Sequence, residues 1–288
     1  AANKIYYIRA AGTHHAAEIE SVANNPWYLG EIGPGADIEK KAGAEVAGNM
    51  IKEDRKRYLL FSGGAYAGNE MHRLRTAAML ETIEELKGVK FDTQPEELAL
   101  VKEPEEINAG DITVTIFPGY ISREANAAAA KEMIAKGNFD AVLSVVSLSP
   151  VMRDIKKAQI KGGTVDCFSQ DNWLAFQAGT LACVVGKYES EIGPAFAALY
   201  NAITGHASLY RENGRAFRLE QGFWSAPDLN TYNKMYGLSS GIVINAYSYE
   251  DLYSEIKVLN PDATFETFKA LVKAYTFEEC LKRRGAEK

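Results

Sequence analysis

The feature that most limits the possible folds is a regular alternation of short apolar runs with longer helical segments. Five such pairs follow one another between Asp37 and Thr204, separated by short polar or glycine-containing turns. Strands that alternate with helices in this way are typical of a parallel sheet with right-handed crossovers. The sequence therefore predicts an α/β protein: a doubly wound, mostly parallel sheet with helices on both faces.

The clearest of these units lies within residues 139–173. The run Ala141–Val146 is rich in valine, as expected of a strand buried on both faces. A helix is predicted from Pro150 to about Lys161, with a stop at Gly162-Gly163, followed by a strand at Thr164–Phe168. Each strand therefore ends in a polar turn, and in open α/β sheets ligands bind at that edge.

Composition excludes several classes of function. The net charge is −6 and the sequence pI is near 5.4, which argues against a nucleic-acid surface with clustered Lys and Arg. No apolar run approaches the roughly 20 residues that cross a bilayer, and residues 1–9 lack the pattern of a signal peptide. Any leader peptide is therefore expected to be absent from this sequence.

Metal and cofactor sites are not indicated. The three cysteines, Cys167, Cys183 and Cys280, fit no zinc spacing and are expected to be buried thiols. The histidines are scattered, Gly63-Gly64 is not a dinucleotide fingerprint, and no Gly-x-Ser-x-Gly elbow is present. We expect no metal, no cofactor and no catalytic residue.

Five segments in a fixed order resemble those of a known family. They are GPGADIEKKAGAEVAGNMI, YLLFSGGAYAGNEMHRLRTAAMLETIEEL, FDAVLSVVSLSPVMRDIKKAQ, TVDCFSQDN and LACVVGKYESEIGPAFAALYNAITG. Their order and spacing over roughly residues 30–205 resemble the type I periplasmic solute-binding proteins, the family of the ribose-binding protein and of the ligand domains of lactose-repressor-like regulators. The resemblance implies one complete α/β lobe plus remnants of a second lobe.

The resemblance also implies a division of the chain. Residues 1–33 correspond to a remnant of the N-terminal lobe and residues 34–188 to the complete C-terminal lobe. Residues 189–288 correspond to a recrossing helix, hinge strands and C-terminal helices that pack on or complete the first lobe. Because Lys4–Arg9 resembles the last strand of lobe one, most of that lobe is expected to be truncated or supplied by another chain.

Two substitutions at family ligand positions bear on the ligand. Val146 and Ser147 stand where the family has an Asn-Asp pair, and Ser169 replaces the Asp of its Gly-Phe-Asp turn. Those groups bind sugar hydroxyls in the family. We therefore expect a ligand other than a plain sugar, with a negative charge or a planar ring.

Eight residues are candidate ligand contacts, most of them by correspondence with family positions: Thr13, Tyr66, Arg75, Ser147, Ser169, Trp173, Lys187 and Tyr188. An arginine near a helix N-terminus offers a planar fork of donors, and aromatic rings can stack on a planar ligand or a sugar face. Structural roles are the alternatives. Arg75 and Lys187 would then be solvated cations, the serines helix N-caps, and Trp173 and Tyr66 packing residues.

The family resemblance implies an extracytoplasmic binding protein for a small solute, which feeds an ABC-type transporter through a membrane permease. Ligand would be held without catalysis in a cleft between two lobes that close by hinge rotation. The alternative is a ligand-sensing domain of a regulator or membrane sensor. An enzyme on the same fold is a third class.

Overall fold

The computed structural model describes residues 3–10, 16–186, 192–239 and 246–284. The chain divides into two compact units. Unit 1 comprises the described residues of Ala1–Gly35, Lys187–Trp224 and Gly237–Lys288, and unit 2 those of Ala36–Gly186 and Ser225–Tyr236.

Strands and helices alternate through most of the described chain. The strands in chain order are β1 (Tyr7–Ala10), β2 (Tyr28–Gly33), β3 (Arg57–Gly63), β4 (Glu105–Ala109), β5 (Ile112–Pro118), β6 (Ala141–Ser144), β7 (Lys161–Val165), β8 (Leu181–Gly186), β9 (Arg211–Glu212), β10 (Arg215–Glu220) and β11 (Trp224–Ala226). The α-helices are α1 (Ala16–Val22), α2 (Ala36–Met50), α3 (Glu70–Lys87), α4 (Pro95–Leu98), α5 (Glu124–Lys136), α6 (Met152–Lys157), α7 (Gln170–Gln177), α8 (Ile192–Asn201), α9 (Leu229–Ser239), α10 (Tyr249–Tyr253), α11 (Phe265–Lys273) and α12 (Phe277–Arg283).

Unit 2 is built on a seven-stranded sheet in the order β11-β8-β7-β6-β3-β5-β4. The neighbours β5, β3, β6, β7 and β8 are all parallel, and β4 pairs antiparallel with β5 at one edge. The expected α/β class with a mostly parallel sheet is therefore confirmed. Between α3 and β5 the chain forms the short helix α4 and the edge strand β4.

Helices cover both faces of this sheet. Alternate residues of a strand point to opposite faces. A Cβ atom placed on Gly163 would meet Met50 of α2, whereas one on Gly162 would meet Leu148 and Ile155, the latter in α6. The helix α3 packs along α2, and α5 packs on α6. The sheet is therefore doubly wound, as the β-α alternation predicts.

The Gly162-Gly163 pair was wrongly expected to end a helix. The helix α6 ends earlier, at Lys157, and Gln159 has a positive φ of 58°. Both glycines lie inside β7, where a Cβ on Gly163 would be 2.5 Å from Met50 Cγ and 2.7 Å from Cys183 Sγ. Glycine is required at 163 because Met50 of α2 and Cys183 of β8 lie close to the backbone, and at 162 because Leu148 does, not because the chain turns.

Unit 1 contains a four-stranded sheet in the order β1-β2-β10-β9. The strand β2 pairs in parallel with both β1 and β10, and β9 forms an antiparallel edge. Its core is made by apolar residues of the sheet, α8 and α11, including Leu29, Ile32, Ala198, Tyr210, Phe217, Phe268 and Val272. No helix within the described residues is long and apolar enough to cross a membrane.

Candidate ligand-binding site

The turns that follow β3, β6 and β7 lie at one edge of the sheet in unit 2. These three strands are adjacent and parallel, so their carboxyl ends share that edge. The helices that follow β3 and β6 lie on opposite faces, because α3 packs with α2 and α6 packs with α5. A crevice forms at such a switch point, and this is where doubly wound sheets bind ligands. The expected convergence of these turns is confirmed.

The turn after β3 is packed tightly around His72. The backbone N–H of Gly64 donates to His72 Nδ1 over 2.9 Å, and Gly63 has a positive φ of 58° with no space for a Cβ beside His72 and Val146. Burial, and secondly the neighbouring Arg75, lower the pKa of His72 to about 4. The imidazole is therefore neutral near pH 7, with Nδ1 as an acceptor.

Arg75 lies beneath this edge in a buried ion pair. Its Nε donates to Glu39 Oε2 over 2.6 Å, and its Nη1 donates to the carbonyl of Val145 over 3.3 Å. The side chain of Arg75 is 8% exposed and that of Glu39 is fully buried. The alternative of a solvated helix arginine is wrong for Arg75. The neighbouring Arg73 pairs with Glu70.

Ser147 lies in the turn after β6, between two anchored residues. The carbonyl of Val146 accepts hydrogen bonds from Ser144 Oγ and Thr164 Oγ1, which fixes the end of β6 to β7. The half-buried Ser147 bonds the hydroxyl of Ser149 over 3.1 Å. Its hydroxyl is therefore held at the carboxyl edge by local contacts.

The turn after β7 holds a carboxylate at the same edge. Asp166 Oδ1 accepts from the N–H of Cys167 over 2.8 Å, and Oδ2 accepts from Asn172 Nδ2 over 2.9 Å. The same Nδ2 donates to the carbonyl of Cys167, which fixes the amide orientation. Ser169 is the N-cap of α7 and accepts from the N–H of Asn172. The N-cap role of Ser169 is thus observed, and a ligand contact by Ser169 stays a prediction.

The two aromatic candidates have different surroundings. Trp173 Nε1 donates to Asn233 over 2.8 Å, and its ring stacks on Tyr236 at 5.9 Å between centroids, so it packs on α9. Tyr66 is in a short 3₁₀ turn at Ala65–Ala67 and is 38% exposed. Tyr66 is therefore the more accessible of the two rings for a ligand.

Three candidates, Thr13, Lys187 and Tyr188, lie outside the described residues. Sequence reasoning, in turn, did not assign Glu39, His72, Asp166 or Asn172 to the site. The signal for Asp166 is visible in the sequence, because an aspartate that directly follows a buried strand lies at the carboxyl edge. Glu39 has no such signal, since its partner Arg75 is far along the chain.

The described residues contain no group of three or more His, Cys, Asp and Glu side chains arranged to hold a metal ion. The thiol nearest the site belongs to Cys167. Burial, followed by the neighbouring Asp166 carboxylate, raises the pKa of Cys167 to about 11. This thiol is therefore protonated near pH 7 and is a poor nucleophile.

No protein-family model and no curated protein matches the sequence. Among solved structures, a galactofuranose binding protein is similar with a TM-score of 0.55 at 13% identity, over 83% of this chain and 72% of that one. GanP, a glucose-galactose binding protein from Geobacillus stearothermophilus, has a TM-score of 0.47 at 13% identity, over 78% and 68% of the two chains. The XylFII molecule has a TM-score of 0.46 at 11% identity, over 79% and 70%.

The similarity to the galactofuranose binding protein concerns the fold, since 13% identity carries no site residues with it. It agrees with the order of segments in the sequence and with the doubly wound sheet of unit 2. The chain therefore shares the fold of the type I periplasmic binding proteins.

Proposed function

We propose that this chain binds a small, uncharged, hydroxyl-bearing solute at the carboxyl edge of the sheet in unit 2, without chemical change. The observation that carries the proposal is the Asp166 carboxylate, held by the N–H of Cys167 and by Asn172 at the carboxyl end of β7. A fixed carboxylate accepts hydrogen bonds from ligand hydroxyls and needs no reorganisation on binding.

The balance of charge supports a neutral ligand. The sequence alone favours a ligand other than a plain sugar, with a negative charge or a planar ring, because serines stand at family carboxylate positions beside Arg75 and Lys187. Glu39 balances the charge of Arg75 over 2.6 Å, and the pair is almost fully buried. A ligand anion would have to compete with this carboxylate, whereas a hydroxyl group would not.

The rest of the edge suits the same ligand class. Ser147 contributes a hydroxyl after β6, and Tyr120, which accepts from Asn69 Nδ2 over 3.1 Å, contributes another after β5. The exposed ring of Tyr66 is available to cover an apolar sugar face. A solved structure of similar fold is that of a galactofuranose binding protein, and a polyhydroxy ligand is consistent with that similarity.

We further propose that the chain works outside the cytoplasm as the receptor of an ABC-type uptake system, with a membrane permease as its partner. The shared fold supports a receptor that captures and releases its solute. The protonated Cys167 gives no support to nucleophilic catalysis at this edge.

A thermal-shift screen over neutral monosaccharides, nucleosides, amino acids and organic acids tests the ligand class. We expect a neutral monosaccharide or another uncharged polyol to raise the melting temperature. Asp166→Asn should weaken its binding by about tenfold to a hundredfold, because hydrogen bonds to a charged acceptor contribute about 1.5–3 kcal/mol. Isothermal titration calorimetry would measure that change.

Asp111→Asn is the matched control, because Asp111 directly precedes β5 at the opposite edge of the sheet and pairs with Lys56 at the surface. It should leave affinity unchanged. Stabilisation by organic acids alone, or equal losses of affinity in both variants, would count against the proposed ligand and site.

A further inference from the structure

A second functional surface lies in unit 1, on the outer side of α8. The helix buries Ala195 and Ala198 in the core of the unit, and Asn201 anchors its end by donating to Tyr210 Oη and to the carbonyl of Glu255, both over 2.6 Å. The opposite side is apolar as well, and residues 192–210 contain no Asp, Glu, Lys or Arg. A helix that is apolar on all sides is normally buried on all sides.

The outward apolar residues of this part of unit 1 are here named the α8 face. They recur at helical spacing along α8 and its continuation and are joined by residues of α10 and the segment after it. The exposed fractions are Ile192 58%, Phe196 54%, Ile203 70%, Tyr249 75%, Tyr253 51% and Leu259 57%. A groove of about 860 Å³ lies between α8 and α10, and its lining includes Phe196, Tyr200, Tyr253 and Leu259.

The size of the α8 face is that of a protein interface. Side chains of this size expose on the order of 200 Å² each when fully accessible, so these six together expose roughly 700 Å². The largest apolar patch on a typical monomer is about 300–600 Å². A stable complex buries about 800 Å² on each partner, which the α8 face nearly supplies from its apolar side chains alone.

The α8 face carries little of the charge that keeps two copies of the chain apart. The whole chain carries a net charge of −6, so two copies repel each other over most of their surfaces. Among the residues that line the groove, Glu250 is the only charged one. The absence of Lys and Arg from this lining gives no attraction to an acidic membrane surface.

The shape of the face is also compatible with self-association. It contains a groove between α8 and α10 and, beside it, projecting rings such as Tyr249, which stacks on Tyr253 at 6.1 Å. In a twofold dimer the same patch contacts itself, so that ridges of one copy meet grooves of the other. We propose that the chain forms a symmetric homodimer through the α8 face.

Sedimentation velocity and light scattering of the full chain, from low to high micromolar concentration, test the proposal. We expect a species of twice the 31.6 kDa chain mass. Phe196→Glu and Tyr253→Glu should each raise the dimer dissociation constant by about a hundredfold or more, because they place a charge in the apolar interface. Circular dichroism would verify that both variants fold, which is expected because these side chains are half exposed.

Leu86→Glu is the matched control, because Leu86 has the same 54% exposure as Phe196 but lies on α3 in unit 2. It should leave the dimer intact. A wild-type chain that stays monomeric at high micromolar concentration would overturn the proposal. So would a polydisperse series of larger species, or an equal effect of Leu86→Glu.

Discussion

Arg75 and His72 lie one helical turn apart on α3 and are both buried beneath the candidate site. Arg75 pairs with Glu39, and His72 accepts from the N–H of Gly64. Burial disfavours a positive charge at His72, and the neighbouring cation at Arg75 adds to this effect, so the imidazole stays neutral. The edge above these residues is therefore supported by one balanced ion pair and one neutral ring.

The neutral His72 should make stability depend on pH. Its pKa is about 4 in the folded chain against 6.5 for the ordinary value, so between these pH values only the unfolded state binds the proton. Stability should fall by about 3 kcal/mol as the pH drops from 6.5 towards 4. Urea unfolding at several pH values would measure this slope.

His72→Asn should remove that part of the slope, since the Asn oxygen can replace Nδ1 as acceptor for Gly64 but does not titrate. Identical pH profiles for the wild type and His72→Asn would refute the assignment.

The Glu39–Arg75 pair should be strongly coupled. Glu39→Gln and Arg75→Met should each destabilise the chain by about 3–5 kcal/mol, because each leaves one buried group without its partner. The double variant should lose clearly less than the sum of the two. Additive losses in a double-mutant cycle of chemical denaturation would show that the two residues do not interact.

At the level of elements, the close approach of α2 to β7 determines how the sheet in unit 2 is covered. Gly163 on β7 lies against Met50 at the end of α2 and against Cys183 on β8. The exposed Gly48, two residues before Met50 on α2, has no atom within 4 Å of the position of a Cβ. The two glycines therefore serve different purposes, although both lie inside regular elements.

Substitution by alanine should separate them. Gly163→Ala should destabilise the chain by about 1–3 kcal/mol because the methyl group overpacks the contact with Met50. Gly48→Ala should stabilise it by about 0.5–1 kcal/mol, since alanine favours the helix and meets nothing. If the melting temperatures of both variants shifted in the same direction relative to the wild type, this description of the packing would be contradicted.

Local chemistry explains which elements could be predicted from the sequence. Ser169 caps α7, one of the two roles that the sequence indicates for it, because a cap acts on backbone groups three residues away. Gly163 was misread, because its reason lies in Met50 and Cys183, which are distant in sequence. The Glu39–Arg75 pair was not predicted either, because its two residues are also distant in sequence. The charge balance of the candidate site was therefore not predicted.

At the scale of the whole molecule, the two proposed surfaces belong to different units. The candidate ligand site is formed by residues of unit 2, whereas the α8 face is formed by residues of unit 1. Variants of one surface can therefore be examined for their effect on the other. Asp166→Asn should leave the state of association unchanged.

The central claim is that a small solute binds at the carboxyl edge of the sheet in unit 2. Amide hydrogen exchange with and without the neutral monosaccharide that stabilises the chain most in the screen tests it directly. We predict added protection in the turns 62–68, 145–149 and 166–173, and none at the opposite edge around residues 54–57 and 110–113. Protection confined to that opposite edge, or no protection by any neutral solute, would contradict the claim.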